Sequence, residues 1–192
     1  MRNEVLEDLS QLRWNKNYRI WEPFMWKYDC QKICEIGVRS GRNFEKMIKH
    51  NPEVAVAIDV WKDDGNTATN DKCYPQEVLD VQYTSFKERM NRHPFVQVYR
   101  EYSYDAVKRF EDNYFDFVYI DADHTYKGVS RDIADWYPKI RRGGLLLGDD
   151  FHDRTTRTGV KFGVVRAVTE FARNNSLNFF VFPRSKWGII KP

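Results

Sequence analysis

Two short stretches of this chain concentrate carboxylates directly behind apolar runs. Tyr119-Ile-Asp-Ala-Asp-His-Thr-Tyr126 closes the run 115–120, and Gly143-Gly-Leu-Leu-Leu-Gly-Asp-Asp-Phe151 places its acids just past the leucines at 145–147. Acids in such positions sit where buried parallel strands open into a ligand crevice. Asp121, Asp149 and Asp150, converging from neighbouring strand ends, repel one another unless a cation neutralises them, and an all-oxygen set suits Mg²⁺. The competing reading is that Asp123 or Asp150 caps a following helix and only Asp121 reaches a ligand. His124 lies on a polar turn rather than an apolar face, which suits a proton acceptor, because imidazole titrates near pH 6.5. His152 competes for that role.

A second constellation is Glu35-Ile-Gly37-Val-Arg-Ser-Gly41 followed by Asp59. Gly37 and Gly41 flank a turn from strand into helix, where missing side chains let backbone N–H groups approach a ligand. The spacing departs from G-x-G-x-x-G, since Arg39 stands at the usual second glycine. Asp59 ends the next apolar run and is placed to accept both hydroxyls of a ribose. Together these predict an adenosine-bearing cofactor and leave nicotinamide and S-adenosylmethionine open. Glu35 favours the second, because a carboxylate before the glycines attracts a methionine amino group and repels a pyrophosphate; pairing with Arg39 or Lys32 is the bland alternative.

The elements that must position these residues follow from hydrophobic periodicity. Val5, Leu6, Leu9 and Leu12 predict an amphipathic N-terminal helix, and strands are expected at 33–36, 54–60, 95–99, 115–120, 145–148, 178–182 and 186–190. Between them come helices over 41–49, through Val78, Leu79, Tyr83, Phe86 and Met90, at 104–110, through Val129, Ile133, Trp136 and Ile140, and through Val160, Val164, Val165, Val168 and Phe171. Gly143-Gly144 is expected to stop the fourth of these. Strand–helix alternation demands crossovers and hence a parallel sheet covered on both faces, whereas the three residues between the last two strands force an antiparallel hairpin at the sheet edge. The polar stretch 61–75 is either a lid or an ordinary surface loop.

Composition narrows the class. A chain of 192 residues makes one domain with a real core, and 31 basic against 28 acidic residues, a net charge of +3, argue against a dedicated nucleic-acid binder. Cys30, Cys34 and Cys73 lack paired metal spacing and are expected to be reduced thiols of a cytoplasmic protein. No apolar stretch suits a membrane span. Residues 1–29 form a helical, aromatic-rich cap, in which Trp14, Tyr18, Trp21, Phe24, Trp26 and Tyr28 cover the sheet or make a homodimer surface; residues 30–192 form the main domain. Arg154, Arg157, Lys161 and Arg166 attract a phosphate-bearing acceptor or nucleic acid, or merely make a solvated helix face.

E-I-G-x-x-x-G, D-V-W at 59–61, I-D-A-D-H-T-Y, G-G-L-L-L-G-D-D-F and the F-G-V-V-R-A-V-x-E-F helix at 162–171 resemble class I S-adenosylmethionine-dependent methyltransferases. The resemblance covers about residues 30–190 and is strongest to the bacterial small-molecule group related to catechol, caffeoyl-CoA and macrolide-sugar O-methyltransferases. It implies a Rossmann-like, doubly wound, mostly parallel seven-stranded α/β sheet. It further implies that Glu35, Gly37 and Gly41 hold the methionine portion, Asp59 the ribose, and that Trp61 and Ser103 lie near the adenine. Asp121 borders the cofactor and, with Asp149 and Asp150, matches the metal positions. Catechol-type relatives carry an amide in place of Asp150 and a catalytic lysine in place of His124, so the pattern leans towards sugar O-methyltransferases with His124 as base. The acceptor would be a small-molecule hydroxyl on a sugar, polyol or natural product. A metal-independent methyltransferase, an NAD(P)-binding oxidoreductase and a non-catalytic adenosine binder are the alternatives.

Overall fold

Strand β1 (Lys32–Ile36), β2 (Val54–Asp59) and β4 (Phe115–Ile120) are almost wholly buried, as near-continuous apolar runs require when helices cover both faces of a parallel sheet. The computed structural model describes residues 21–63, 74–155, 159 and 161–192. With β3 (Val96–Arg100), β5 (Ile140–Gly148), β6 (Phe180–Phe182) and β7 (Lys186–Ile190), the strands form one seven-stranded sheet in the order β3-β2-β1-β4-β5-β7-β6. The first five are parallel; β7 runs antiparallel to both β5 and β6. The chain leaves β1 first towards β2 and β3, then returns to the other side of β1 for β4. Ligands bind in such sheets at that reversal, outside the carboxyl ends of the strands.

Alternate side chains feed two cores. Ile33, Ala57, Phe117 and Leu147 face a cluster that includes Phe24 of α1 (Trp21–Lys27), Phe44 and Met47 of α2 (Phe44–Met47), and Phe86 and Met90 of α3 (Gln76–Met90). Cys34, Val56, Val118 and Leu146 face the opposite cluster, built with Ala106 of α4 (Ser103–Ala106), Ile133 and Trp136 of α5 (Tyr126–Trp136), and Val168 of α6 (Val164–Asn174). Phe24 lies 6.5 Å from Phe117, ring to ring, whereas Trp26 is exposed. Cys30 and Cys34 are buried free thiols. Cys73, Val160, Arg157, the stripe Val5 to Leu12, Trp14 and Tyr18 lie outside the described residues.

The glycine pair does not stop α5. That helix ends at Trp136, a 3-10 turn Tyr137–Lys139 containing Pro138 follows, and Ile140 already belongs to β5, with Gly143 and Gly144 inside the strand. Proline supplies no N–H to continue an α-helix, and periodicity could not separate Ile140 from the stripe before it. Gly143 takes a left-handed φ of 76° where the β4–β5 register shifts, and a side chain at Gly144 would overlap the Asp116 carbonyl. The helices expected at 41–49 and 104–110 are single α turns continued by 3-10 turns Ile48–His50 and Val107–Arg109.

Among the described residues three acids are buried, Glu35, Asp116 and Asp132. Asp116, at the lower end of β4, accepts the backbone N–H groups of Gln31 and Lys32 at 2.8 and 2.7 Å and pairs with Arg141, tying β1 to β4. Asp132 is 4 % exposed and interrupts the apolar face of α5 between Val129 and Ile133. Burial pushes its carboxyl up to about 7; Asp123 and Asp135 push the same way, and Ser103 and Arg131 oppose them.

Replacing Asp116 by Ala strands two part-buried N–H donors and unpairs Arg141, so Asp116→Ala is expected to cost on the order of 2 kcal/mol in denaturant unfolding. Asp132 gives a pH signature. An acid whose folded pKa is raised makes the native state the better proton binder, so its contribution weakens as pH rises from about 4 to about 7 and is constant above. Asp132→Asn should therefore gain stability relative to the unsubstituted chain across that window; a pH-independent difference would refute the assignment.

Candidate functional site

At the carboxyl ends of β1, β2 and β4 lies a cavity of about 720 Å³, a size typical of cofactor pockets. Gly37, Asp59, Trp61, Ser103, Asp121, His124 and Asp150 border it, so seven of the ten expected site residues share one space. Glu35, Gly41 and Asp149 are not in its walls.

Asp59 is fixed by the backbone around it. Its Oδ2 accepts the Arg39 N–H at 2.7 Å and its Oδ1 the Trp61 N–H at 2.8 Å. Burial raises its pKa, while N–H groups of Trp61, Arg39 and Val60 lower it in part. Arg39 and Trp61 both adopt left-handed φ, 51° and 39°, which turns their N–H groups onto the carboxylate. The oriented carboxylate keeps acceptor capacity towards the cavity and can take a ribose diol. The Trp61 indole packs 5.7 Å from the Phe86 ring and donates to the Arg39 carbonyl at 2.8 Å, so it braces the loop as well as lining the cavity. The Arg39 guanidinium bonds the Tyr74 hydroxyl and lies 4.5 Å from its ring.

The glycines serve close chain packing. Gly37 has φ 89°, and a Cβ there would overlap the backbone of Asp121 and Ala122; one at Gly41 would enter the Phe86 ring. Gly37 N–H donates to Ile58 and Gly41 N–H to Val38, both at 2.9 Å. Neither amide is therefore the open anion donor that the glycine pattern suggested. Glu35 is buried within β1 at 1 % exposure, beside Tyr119.

The turn after β4 meets the turn after β5. Ligand atoms of Asp121, His124 and Asp150 lie within 4.8 Å of one another. His124 Nε2 is 3.2 Å from Asp150 Oδ2, and His152 Nε2 is 3.3 Å from Asp150 Oδ1, with the Phe162 ring packed against both imidazoles. A carboxylate only accepts, so the tautomer that suits each approach carries its hydrogen on Nε2, and a neutral His124 in that tautomer has its lone pair on Nδ1. His152 Nδ1 accepts the Arg154 N–H at 3.3 Å, which agrees with that tautomer. Asp150 has φ 56°, the conformation that turns it towards the histidines.

Asp149 does not join this group. Its carboxylate pairs with Lys186 at the start of β7 and accepts the Tyr119 hydroxyl at 3.1 Å. Asp123 holds the turn instead, accepting Thr125 N–H at 2.7 Å, and Thr125 caps α5 through Gly128 N–H at 3.1 Å. Lys186 lies 37 residues beyond Asp149, a pairing that only the antiparallel return of β7 creates.

The far wall holds residues the motifs did not single out. Ser103 Oγ donates to Asp132, and Tyr102 and Tyr104 stack at 5.0 Å with the Arg131 guanidinium 3.7 Å from the Tyr104 ring. A signal for Asp132 was present: it occupies the i+3 place in the stripe Val129, Ile133, Trp136, where an acid is out of character.

No curated protein matches the chain in sequence. Its fold is similar to a candidate caffeoyl-CoA O-methyltransferase from Staphylococcus aureus, with a TM-score of 0.64 and 15% identity over 98% of this chain and 91% of that one. It is also similar to an O-methyltransferase from Bacillus cereus in complex with SAH, at 0.60 and 16% over 98% and 90%. The O-methyltransferase NovP aligns at 0.60 and 12% over 87% and 74%. Among the described residues no helix is long and apolar enough to cross a membrane. The methyltransferase-domain family matches residues 34–151, which run from within β1 to just past β5 and include the residues around the cavity; the chain belongs to that family and is a class I S-adenosylmethionine-dependent methyltransferase.

Proposed function

We propose that the protein transfers a methyl group from S-adenosylmethionine to a hydroxyl of a small molecule such as a sugar, a polyol or a natural product, with Mg²⁺ assisting. The observation that carries this reading is the sharing of one cavity by a diol-accepting carboxylate, Asp59, and a histidine–carboxylate group, Asp121, His124 and Asp150. The likeness to O-methyltransferases supports an oxygen acceptor.

Bound S-adenosylmethionine supplies an electrophilic methyl on a sulfonium, so the protein's work is alignment and proton removal. Asp59 accepts the ribose hydroxyls and fixes the cofactor along the strand ends. His124 takes the acceptor's proton on Nδ1, while Asp150 holds the ring by Nε2 and stabilises the imidazolium that forms. His152 holds Asp150 from its other oxygen. Asp121 and Asp150 are the residues that would hold a divalent cation, which would supply Lewis acidity to the acceptor oxygen. Lys186 already compensates the charge of Asp149, which argues for two carboxylates rather than three.

A second reading makes His124 the third metal ligand, and the clustering of its ring with both carboxylates favours it. One variant separates the two. As a base, His124 is worth about 10²- to 10⁴-fold in kcat, and His124→Ala should leave the metal concentration for half-activity unchanged. A ligand would instead show as a large rise in that concentration. Chelation should abolish turnover and Mg²⁺ restore it; full activity in excess chelator would leave a metal-independent enzyme.

Cofactor binding gives the remaining expectation. Asp59→Ala should weaken S-adenosylhomocysteine by about tenfold to a hundredfold in calorimetric titration without unfolding the protein, as loss of charged hydrogen bonds predicts. Tight NADH binding with no response to S-adenosylhomocysteine would select the oxidoreductase alternative.

A further inference from the structure

A hydrogen bond at one ring atom does not orient an imidazole. Asp150 meets His124 at Nε2, 3.2 Å away, but the last torsion of a histidine is broad, so that single contact leaves the plane of the ring loosely held. Tilting of the ring carries Nδ1, the atom that has to face the methyl acceptor, into and out of line with the cavity. A flat surface laid against the ring removes this freedom. Phe162 presents such a surface: its ring lies 5.1 Å from that of His124 and only 9° from parallel, within the offset-stacked geometry that aromatic pairs favour.

We propose that Phe162 is a positioning residue for proton removal: it fixes the plane of the His124 imidazole so that Nδ1 stays turned towards the cavity. The proposal rests on the reading of His124 as the base given above. His124 borders the cavity and Phe162 does not, so the phenyl ring backs the imidazole from outside and leaves the methyl acceptor's approach open. The same ring lies 4.6 Å from that of His152, at 49°, so the two imidazoles that share Asp150 also share one aromatic support. Phenylalanine suits the place because it stacks without bringing a polar atom to compete for Asp150 or for Nδ1.

The backbone holds this support in place. Phe162 N–H donates to the Arg154 carbonyl at 2.9 Å, Thr155 and Lys161 form an antiparallel bridge beside it, and Gly163 N–H donates to the His124 carbonyl at 2.8 Å. The phenyl ring is thus tied on one side to the turn that carries His152 and on the other to the residue whose ring it covers. Gly163 stands at the N-cap of α6, and a Cβ there would overlap the Tyr126 backbone, so the start of α6 is set directly against the start of α5. Val164 and Val168 then bury α6 in the same core as Val129 and Ile133 of α5. Phe162 therefore hangs from packed helices, as a group that holds another at a productive angle requires.

The test is nitrogen–proton NMR of the histidine rings in the whole chain at about pH 9, well above the ordinary imidazole pKa of about 6.5. In the unsubstituted protein the carbon-bound ring protons of His124 should be shifted upfield by the phenyl ring current, with the ring hydrogen on Nε2. Phe162→Leu keeps an apolar side chain but no flat face. It should remove the upfield shift and lower the ratio of the Nε2–H to the Nδ1–H tautomer by about two- to tenfold, as the usual worth of an aromatic pair predicts. Phe162→Tyr should restore both, and calorimetric titration with S-adenosylhomocysteine should give the same affinity in all three proteins. An unshifted His124 in the unsubstituted protein, an unchanged tautomer ratio in Phe162→Leu, or a cofactor affinity that falls together with that ratio would overturn the proposal. A His124 that carries its hydrogen on Nδ1 in the unsubstituted protein would instead overturn the reading of it as a base through that atom. The ring-current shift needs no variant, so it decides the matter alone if Phe162→Leu does not fold.

Discussion

The chain segments leaving β1 and β4 run so close together that Asp121 N–H donates to the Ile36 carbonyl at 2.8 Å and no side chain fits at Gly37. Everything at the site is built outward from that contact. It extends the β1–β4 ladder one step beyond the strands and so sets the position of Asp121 relative to the turn that holds Asp59. A Cβ at Gly37 would push the Asp121 backbone away and open the reversal point of the sheet. The glycine acts on function through chain spacing, with its own N–H already committed to Ile58.

From that fixed edge the acids are sorted by their neighbours. Asp149 is matched by Lys186 and Tyr119, Asp123 by the Thr125 N–H, and Asp150 by two imidazoles. Each takes a different partner because each hangs from a different backbone conformation, extended along β5 for the chain entering Asp149 and left-handed at Asp150. Consecutive carboxylates thus point to different environments: one into a structural ion pair, the other towards the cavity. Like-charge repulsion is relieved residue by residue before any cation is invoked.

The opposite end of the cavity is governed by desolvation. Asp132 and Ser103 come from separate elements and meet behind the wall, where low polarity strengthens their bond and raises the acid's pKa to about 7. Tyr102, Tyr104 and Arg131 make an aromatic and cationic rim beside them. The cavity accordingly has a histidine–carboxylate end at β4 and β5 and an aromatic end beside the Ser103–Asp132 pair at β3, a polarity that suits a ligand with distinct termini.

The sequence by itself determined the alternation of strands and helices, the antiparallel hairpin at the edge, and the placing of Asp59, Asp121 and Asp150 at strand ends. These are consequences of local period and of crossover length, which short stretches of chain carry in full. It placed Gly37 at the turn out of β1 as an opening for a ligand, whereas the structure shows that a side chain there would meet the Asp121 backbone. Tertiary structure alone decided that Asp149 faces Lys186, that Glu35 is enclosed in the sheet, that α5 ends before Ile140, and that Asp150 lies between His124 and His152. Each depends on which distant residue arrives at a given place: β7 returning beside β5, β4 lying against β1, or a turn taking a left-handed φ. One-dimensional spacing fixes where along the chain an acid falls, but only the packed sheet fixes what stands opposite it.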